Sequence, residues 1–366
     1  MIRQYLPQTT TELIHWYERY LSPLALLIGF VLDNFVVLKR VDALFGNVLL
    51  LSYLIMSGIA IIALNYIESG RVQNRMVLWF APFIPVAIQF FFGGLFSGYL
   101  SLYSRSAGVA FSWLFVLVLA ALLIGNERFR NLYQELPFQI SIYFASLYSF
   151  LIFFLPLIFK KIGPLMFLSS GFVSVIVIMI MMGLLRSLVP ERVAASRRAI
   201  MRALIALVVA FNLLYFSNLI PPLPLALKEG GVYHSVQRSE NSYVLIGQPE
   251  SFATKYVSTP ARFDLLPGES AFVFTAVFAP SGLTTNLRHQ WQYYNTTTDQ
   301  WETRSDVRFT INGGREGGFR GYSEKQDPAD GSWRVNVLTD YGQIVGRISF
   351  TVTHVETPPV LTEITR

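Results

Sequence analysis

A chain of 366 residues that is 53% hydrophobic, 15% aromatic and only 14% charged is too apolar for an ordinary soluble protein. Its net charge of +6 is uneven: residues 1–227 hold 16 Lys and Arg against 8 Asp and Glu, and residues 228–366 hold 13 against 15. The excess sits in the breaks between apolar runs, where basic residues orient a membrane protein, and does not form the basic face of a nucleic-acid binder.

Residues 1–20 read as an interfacial N-terminal helix. Thr9-x-x-Glu12 is a capping-box pattern, and Leu13, Trp16, Tyr17 and Tyr20 share one helical face whose aromatic tips suit a headgroup layer. The first turn of the following helix is the equal alternative. The N-terminus lacks a short apolar run followed by a small-residue cleavage site, so the first apolar segment reads as a retained anchor.

Seven apolar segments follow, at about 21–38, 44–66, 77–100, 106–125, 138–159, 164–185 and 203–220, each near the length a hydrocarbon core requires. Residues 21–220 are thus expected to form an α-helical transmembrane bundle of about seven spans. Eleven basic residues fall on one side: Arg3, Arg19, Arg71, Arg75, Arg128, Arg130, Arg186, Arg192, Arg197, Arg198 and Arg202. Six fall on the other: Lys39, Arg40, Arg105, Lys160, Lys161 and Lys228. The loop expected at Arg186–Arg202 supplies most of the bias. The asymmetry puts the N-terminus in the cytoplasm and, after an odd number of spans, residues 228–366 on the periplasmic or extracellular side.

Pro221, Pro222 and Pro224 are expected to end the last helix near Leu219 and to make residues 221–234 a stiff linker. From about Ser235 the period changes to two. Ala271–Phe278, His289–Tyr294, Trp301–Ile311, Ser332–Thr339 and Gln343–Val352 read as strands. Turn signals such as Asn295-Thr-Thr-Thr-Asp299 and Asp340-Tyr-Gly342 separate them. Residues 235–353 therefore suggest an all-β sandwich of immunoglobulin or fibronectin type, followed by a flexible tail, 354–366.

Several strings in this half occur in a telling order: Asn218-Leu-Ile-Pro-Pro through Tyr233-His-Ser235, His289-Gln-Trp291, Asn312-Gly-Gly-Arg-Glu-Gly-Gly-Phe-Arg-Gly-Tyr-Ser323, Gly331-Ser-Trp-Arg-Val335 and Gly342-Gln-Ile-Val-Gly346. Over residues 215–353 the chain resembles bacterial membrane proteins that carry the domain of unknown function 2914. The resemblance implies a domain placed behind a multi-span membrane part. It implies no activity, because none is assigned to the family.

Chemistry has two places to reside. In Gly313-Gly-Arg-Glu-Gly-Gly-Phe-Arg-Gly-Tyr-Ser-Glu-Lys325, glycine amides could converge on an anion. Arg315 and Arg320 could clamp a carboxylate or phosphate, and Phe319 and Tyr322 could stack on a sugar. The alternative is a long inter-strand connection with glycines at positive φ. Within the spans, Asp33 and Gln89 are the polar residues that need a reason. Asp33 pairs with Arg40 or marks an ion site. Gln89 follows Pro82 and Pro85 and precedes Gly94-x-x-x-Gly98, which reads as close helix packing or as a broken transport helix. No cysteine is present, and the four histidines show no ligand spacing. Neither catalytic motif, metal site nor cofactor signature is found, so a non-enzymatic role is expected. The expectation is an inner-membrane protein displaying a binding module for an envelope protein, glycan or lipid headgroup, with a transporter or channel as the alternative.

Overall fold

The computed structural model describes residues 41–106, 109–126, 129, 132–239, 242–249 and 260–366. The expected N-terminal helix, the first apolar segment, Asp33 and Arg40 lie outside these residues. The chain divides into two compact units, with a boundary between Ile220 and Pro221.

The first unit is helical. Its described helices are α1 (Leu44–Glu68), α2 (Arg75–Phe80), α3 (Ile84–Ser106), α4 (Val109–Gly125), α5 (Leu136–Phe159), α6 (Pro164–Leu188) and α7 (Pro190–Phe216). A single 3₁₀ turn, Ala81–Phe83, joins α2 to α3, because Pro82 falls at a position that needs no amide donor. Among the described residues, five stretches are long and apolar enough to cross a membrane: Leu44–Glu68, Arg75–Ser104, Leu136–Phe159, Pro164–Leu188 and Pro190–Phe216. The apolar part of α4 is shorter.

Helix α5 is the centre of this unit and is buried along most of its length. The phenols of Tyr99 and Tyr103 on α3 donate to the α5 carbonyls of Ser146 and Ser149, each at 2.8 Å. From α6, the Ser170 hydroxyl lies 2.9 Å from the Leu151 carbonyl oxygen. Small residues let the neighbours approach: a Cβ on Gly58 would meet the Tyr143 hydroxyl at 2.8 Å, and one on Gly171 the Tyr148 hydroxyl at 2.6 Å. The outward faces of α1, α6 and α7 carry bare apolar side chains, among them Phe45, Leu165, Phe172, Ile180 and Leu213.

Two local expectations are corrected here. No loop spans Arg186–Arg202, since only Val189 separates α6 from α7. Pro190 starts α7 at a position where its missing amide costs nothing, and Glu191 adds a favourable charge to the first turn. Arg192, Arg197, Arg198 and Arg202 therefore ride on a helix. At its far end α7 stops at Phe216, earlier than the prolines require. Asn218 takes a left-handed φ of 58°. The Leu219 amide then folds back to the Leu214 carbonyl at 2.8 Å, a Schellman-type closure.

The second unit is built of strands. A five-stranded sheet has the order β4 (Ala261–Leu265), β10 (Ile344–His354), β9 (Gly331–Thr339), β6 (Thr284–Asn295) and β7 (Gln300–Asn312). Only β4 and β10 run parallel. A middle sheet has the order β1 (Ala226–Tyr233), β5 (Ser270–Phe278) and β8 (Phe319–Gln326). A third sheet has the order β11 (Thr362–Thr365), β3 (Ser242–Gly247) and β2 (Ser235–Ser239).

The main core lies between the five-stranded and middle sheets. Leu287, Trp291, Trp333, Val335, Val337 and Phe350 face Ala271, Val273 and Val277 there. The other face of β5 carries Phe272, Phe274 and Ala276, which pack with Tyr233, Val236, Leu245 and Ile364. The unit therefore has three layers, and β5 is buried on both faces. That is why its sequence is apolar at odd and even positions alike.

The stretch 221–234 is not the stiff linker expected. Pro221–Leu225 is buried, Leu225 belongs to the main core, and β1 begins at Ala226. Nor is 354–366 structureless, because β11 pairs with β3 and the backbones of Arg366 and Tyr243 exchange hydrogen bonds of 2.7 and 2.8 Å.

Candidate functional site

The glycine and arginine string resolves into a turn followed by β8. The Gly313 amide donates to the Leu283 carbonyl at 2.9 Å, the Gly314 amide to Ala279 at 3.0 Å and the Gly318 amide to Arg315 at 3.1 Å. These donors are spent inside the fold and do not converge on a free space. The glycines answer to sterics. A Cβ on Gly313 would stand 1.9 Å from the Pro280 carbonyl oxygen, and Gly318 has a φ of 89° against the backbone of Val277.

The four side chains proposed to act together are separated by the strand period. Phe319 points into the main core, with the Arg315 guanidinium 6.0 Å from its ring centre. Arg320 and Tyr322 alternate onto the opposite face, where Tyr322 is 43% exposed and its ring neighbours Tyr243 and Phe272.

In the helical unit, Gln89 is buried on α3 and its carbonyl accepts from Asn126 at 2.8 Å. The Asn126 side-chain oxygen accepts from the Tyr133 hydroxyl, the Tyr133 carbonyl from Gln139, and the Gln139 side-chain oxygen from Asn65. This line of amides and one phenol ties α1, α3 and α5 together and contains no ionisable carboxylate or amine. A Cβ on Gly94 would meet the Tyr53 ring at 2.5 Å, so the Gly94-x-x-x-Gly98 stretch serves close packing of α3 on α1.

A second polar line lies inside the sandwich. Trp291 Nε1 donates to Ser323 Oγ at 2.9 Å, and that hydroxyl lies 2.9 Å from His289 Nδ1. On the other side of the ring, His289 Nε2 is 2.9 Å from Thr275 Oγ1, which reaches the Gly321 carbonyl at 3.5 Å. One assignment satisfies every group: Trp291 N–H to Ser323, Ser323 O–H to Nδ1, Nε2–H to Thr275, and Thr275 O–H to Gly321. It requires a neutral imidazole. Burial pushes the His289 pKa down to about 3, which makes the ring a weak base near neutral pH. A hydroxyl on each side of a histidine resembles a nucleophile with its base, but here the trio joins β5, β6 and β8 across the core.

The outward face of the five-stranded sheet carries a different arrangement. Val335 and Val337 of β9 face the core, so Arg334 and Asn336 face away from it. Register aligns Arg347, Asn336, Gln290 and Asp306 in one row across four strands, and Ser349, Arg334, Gln292 and Thr303 in the next. Arg347 Nε donates to Asn336 Oδ1 at 2.6 Å, and Arg334 Nε to Gln292 Oε1 at 2.7 Å. Asn336 Nδ2 donates to Gln290 and Gln292 at 3.1 and 3.0 Å, and Gln292 Nε2 donates to Thr303 at 3.2 Å. The Arg334 guanidinium lies 4.1 Å from the centre of the Trp301 ring, which itself packs against Tyr294.

Further along the same face, arginines meet carboxylates: Arg288 with Asp306 at 2.9 Å, and Arg308 with Asp340 at 2.5 Å. Arg334 and Arg347 sit diagonally across β9 and β10, and the Nε of each donates to an amide oxygen. Burial, and secondarily the charge of Arg334, pushes the Arg347 pKa down to about 10; burial lowers that of Arg334 as well. A guanidinium still remains charged at neutral pH.

This cluster escaped the reading of the sequence. Its signal is the alternation Trp333-Arg-Val-Asn-Val337 beside His289-Gln-Trp-Gln292, which on one strand is indistinguishable from an ordinary solvated face. Only the register brings the two arginines together.

Residues 284–352 match the family model described as Protein of unknown function (DUF2914). The match takes in the motifs from His289 to Gly346 that carried the resemblance, and the Asn218–Ser235 string lies outside it. Among solved structures, an immunoglobulin-like protein from Pseudomonas aeruginosa is 13% identical, with 36% of this chain and 98% of that chain covered and a TM-score of 0.21. The alkylpurine DNA glycosylase AlkC from Pseudomonas fluorescens, solved with DNA containing an abasic site analog, is 12% identical. Coverage there is 78% of this chain and 79% of that chain, with a TM-score of 0.21. Both scores are too low to carry an inference about fold or function. No curated protein gives a significant match.

Proposed function

We propose that this chain is a multi-pass protein of the bacterial inner membrane that displays its sandwich outside the cytoplasm as a binding module. Its N-terminus would lie in the cytoplasm, and the spans would number seven. The outward apolar side chains of α1, α6 and α7 support insertion, since a surface of that kind is stable against lipid and not against water. The surplus of arginines on one side supports the orientation. The observation that carries a binding role is the outward face of the five-stranded sheet, where two arginines are held in place by amides. They bring two positive charges to that face.

Absence of cysteine gives a clean test, because any single introduced thiol is the only one. Thr298→Cys, at the exposed β6–β7 turn, should react with a membrane-impermeant maleimide in intact spheroplasts. Ala195→Cys, on the exposed side of the arginine-bearing end of α7, should react only after permeabilisation. The reverse pattern would overturn the orientation, and equal labelling of both in intact spheroplasts would overturn insertion.

A further inference from the structure

We propose that Arg198 and Arg202 on α7, with the apolar strip that continues from them, form a binding site for one anionic phospholipid. The inference rests on reading the helical unit as membrane-inserted and names a lipid that its surface would hold. Residues three and four apart share one face of a helix. On α7 that spacing joins Arg198, Met201, Arg202, Ile205, Val209 and Leu213 into a single strip, and all six are exposed. The strip changes character along its length. Ile205, Val209 and Leu213 are bare aliphatic side chains, a surface for an acyl chain. Arg202 stands about 4.5 Å from Ile205 along the helix axis, and Arg198 about 6 Å beyond it. Acyl chain first and phosphate next is the order in which a phospholipid presents its own parts.

The helix itself directs the charges. Its side chains lean towards the N-terminus, so both arginines lean away from the apolar stretch and towards the headgroup layer, where long basic side chains come to rest. Among the described residues no carboxylate meets them. Arg202 Nε lies 3.4 Å from the Arg198 carbonyl oxygen, and neither guanidinium forms an ion pair. Glu191 stands about 10 Å before Arg198 along the axis, and Glu68 is taken by Arg192. Like charges four residues apart on a helix repel. A phosphate between them turns that repulsion into a contact with two guanidiniums, each able to grip it with two parallel hydrogen bonds. A zwitterionic headgroup carries its own ammonium to the same place and gains less. Arg197 is also exposed but lies about 100° round the helix from Arg198. It carries the same charge away from the middle of the strip.

The test uses the full chain in an uncharged detergent, titrated with phosphatidylglycerol or with phosphatidylethanolamine of the same acyl chains. Native mass spectrometry counts the lipids retained and gives the affinity of the first. Phosphatidylglycerol should bind about tenfold more tightly than phosphatidylethanolamine, and millimolar inorganic phosphate should not displace it, because the free anion lacks the chain. Arg198→Gln and Arg202→Gln should each weaken phosphatidylglycerol binding about tenfold, the loss of one bidentate charged contact. Arg197→Gln should stay within about twofold. Thermal unfolding of each variant separates lost binding from lost folding. Should a glutamine variant unfold, the double variant Arg198→Lys, Arg202→Lys decides. It keeps the charge without the forks, so it should still prefer phosphatidylglycerol but bind it several-fold more weakly, and wild-type affinity there would overturn the site. Equal affinity for the two lipids, displacement by inorganic phosphate, or an Arg197→Gln loss equal to the others would do the same. The maleimide experiment reads insertion separately. The expected labelling without a preference for phosphatidylglycerol removes this site alone, whereas equal labelling of both cysteines removes the insertion beneath it.

Discussion

Lowering the pH from neutral should destabilise the sandwich through His289. The ring is enclosed between Thr275 and Ser323 and its pKa is held at about 3 by burial, whereas an unfolded histidine titrates near 6.5. Between those values the unfolded chain binds a proton that the native chain refuses. Stability conferred by the neutral ring is therefore complete above about pH 6.5 and falls as pH drops towards 3. The slope is about 1.4 kcal/mol per pH unit, so roughly 2.7 kcal/mol is lost by pH 4.5. His234, whose pKa is also lowered chiefly by burial, adds a contribution of the same sign. Urea unfolding of the full chain in detergent, followed by tryptophan fluorescence at several pH values from 7.5 to 4.5, measures the total. His289→Gln keeps a hydrogen-bonding side chain but cannot titrate, so its slope should be shallower by one proton. A wild-type stability that is flat over this range, or a variant with an unchanged slope, would refute the reasoning. Asp330 and Asp340, whose pKa values lie below the usual carboxylate range, act only at still lower pH.

Other perturbations test the packing. Gly313→Ala forces a methyl against the Pro280 carbonyl oxygen and should cost about 2–4 kcal/mol. Its neighbour Gly317 meets nothing within 4 Å, so Gly317→Ala should be neutral to about 0.5 kcal/mol in the same unfolding assay. Trp291→Phe removes the N–H that Ser323 accepts while retaining most of the ring volume; a loss of about 1–2 kcal/mol is expected by thermal unfolding. In the helical unit, Gly171→Leu would drive a side chain into the Tyr148 hydroxyl, and the detergent-solubilised protein should melt several degrees lower.

How much of this was legible follows from which signals survive in one dimension. Strands β5, β6, β7, β9 and β10 were readable because aromatic and β-branched residues recur along them and turn residues bound them. Strand β1 was hidden because Leu227-Lys-Glu-Gly-Gly231 contains two glycines and follows prolines, which mimic a linker. Strand β8 was hidden by Gly321, needed where the Phe309 ring comes within 3.0 Å of a built Cβ. The start of α7 was misread for the opposite reason. Arg192–Arg202 breaks the apolar run, yet alanine and arginine are strong helix formers, so polarity changed while the helix continued. The candidate site followed the same logic. Arg315, Phe319, Arg320 and Tyr322 are close in sequence and parted by the strand period; Arg334 and Arg347 are apart in sequence and joined by register.

The parallel pairing of β4 with β10 predicts a late step in folding. A hairpin such as β6–β7 closes over a few residues and can form as soon as both strands exist. Strand β9 then adds to β6, and β10 to β9. Strand β4, although it precedes all of these in the chain, finds its hydrogen-bond partner only when β10 has taken its place. Loop-closure entropy makes that long-range step late. Until it happens, Phe263 and Leu265 remain outside the core they finally complete.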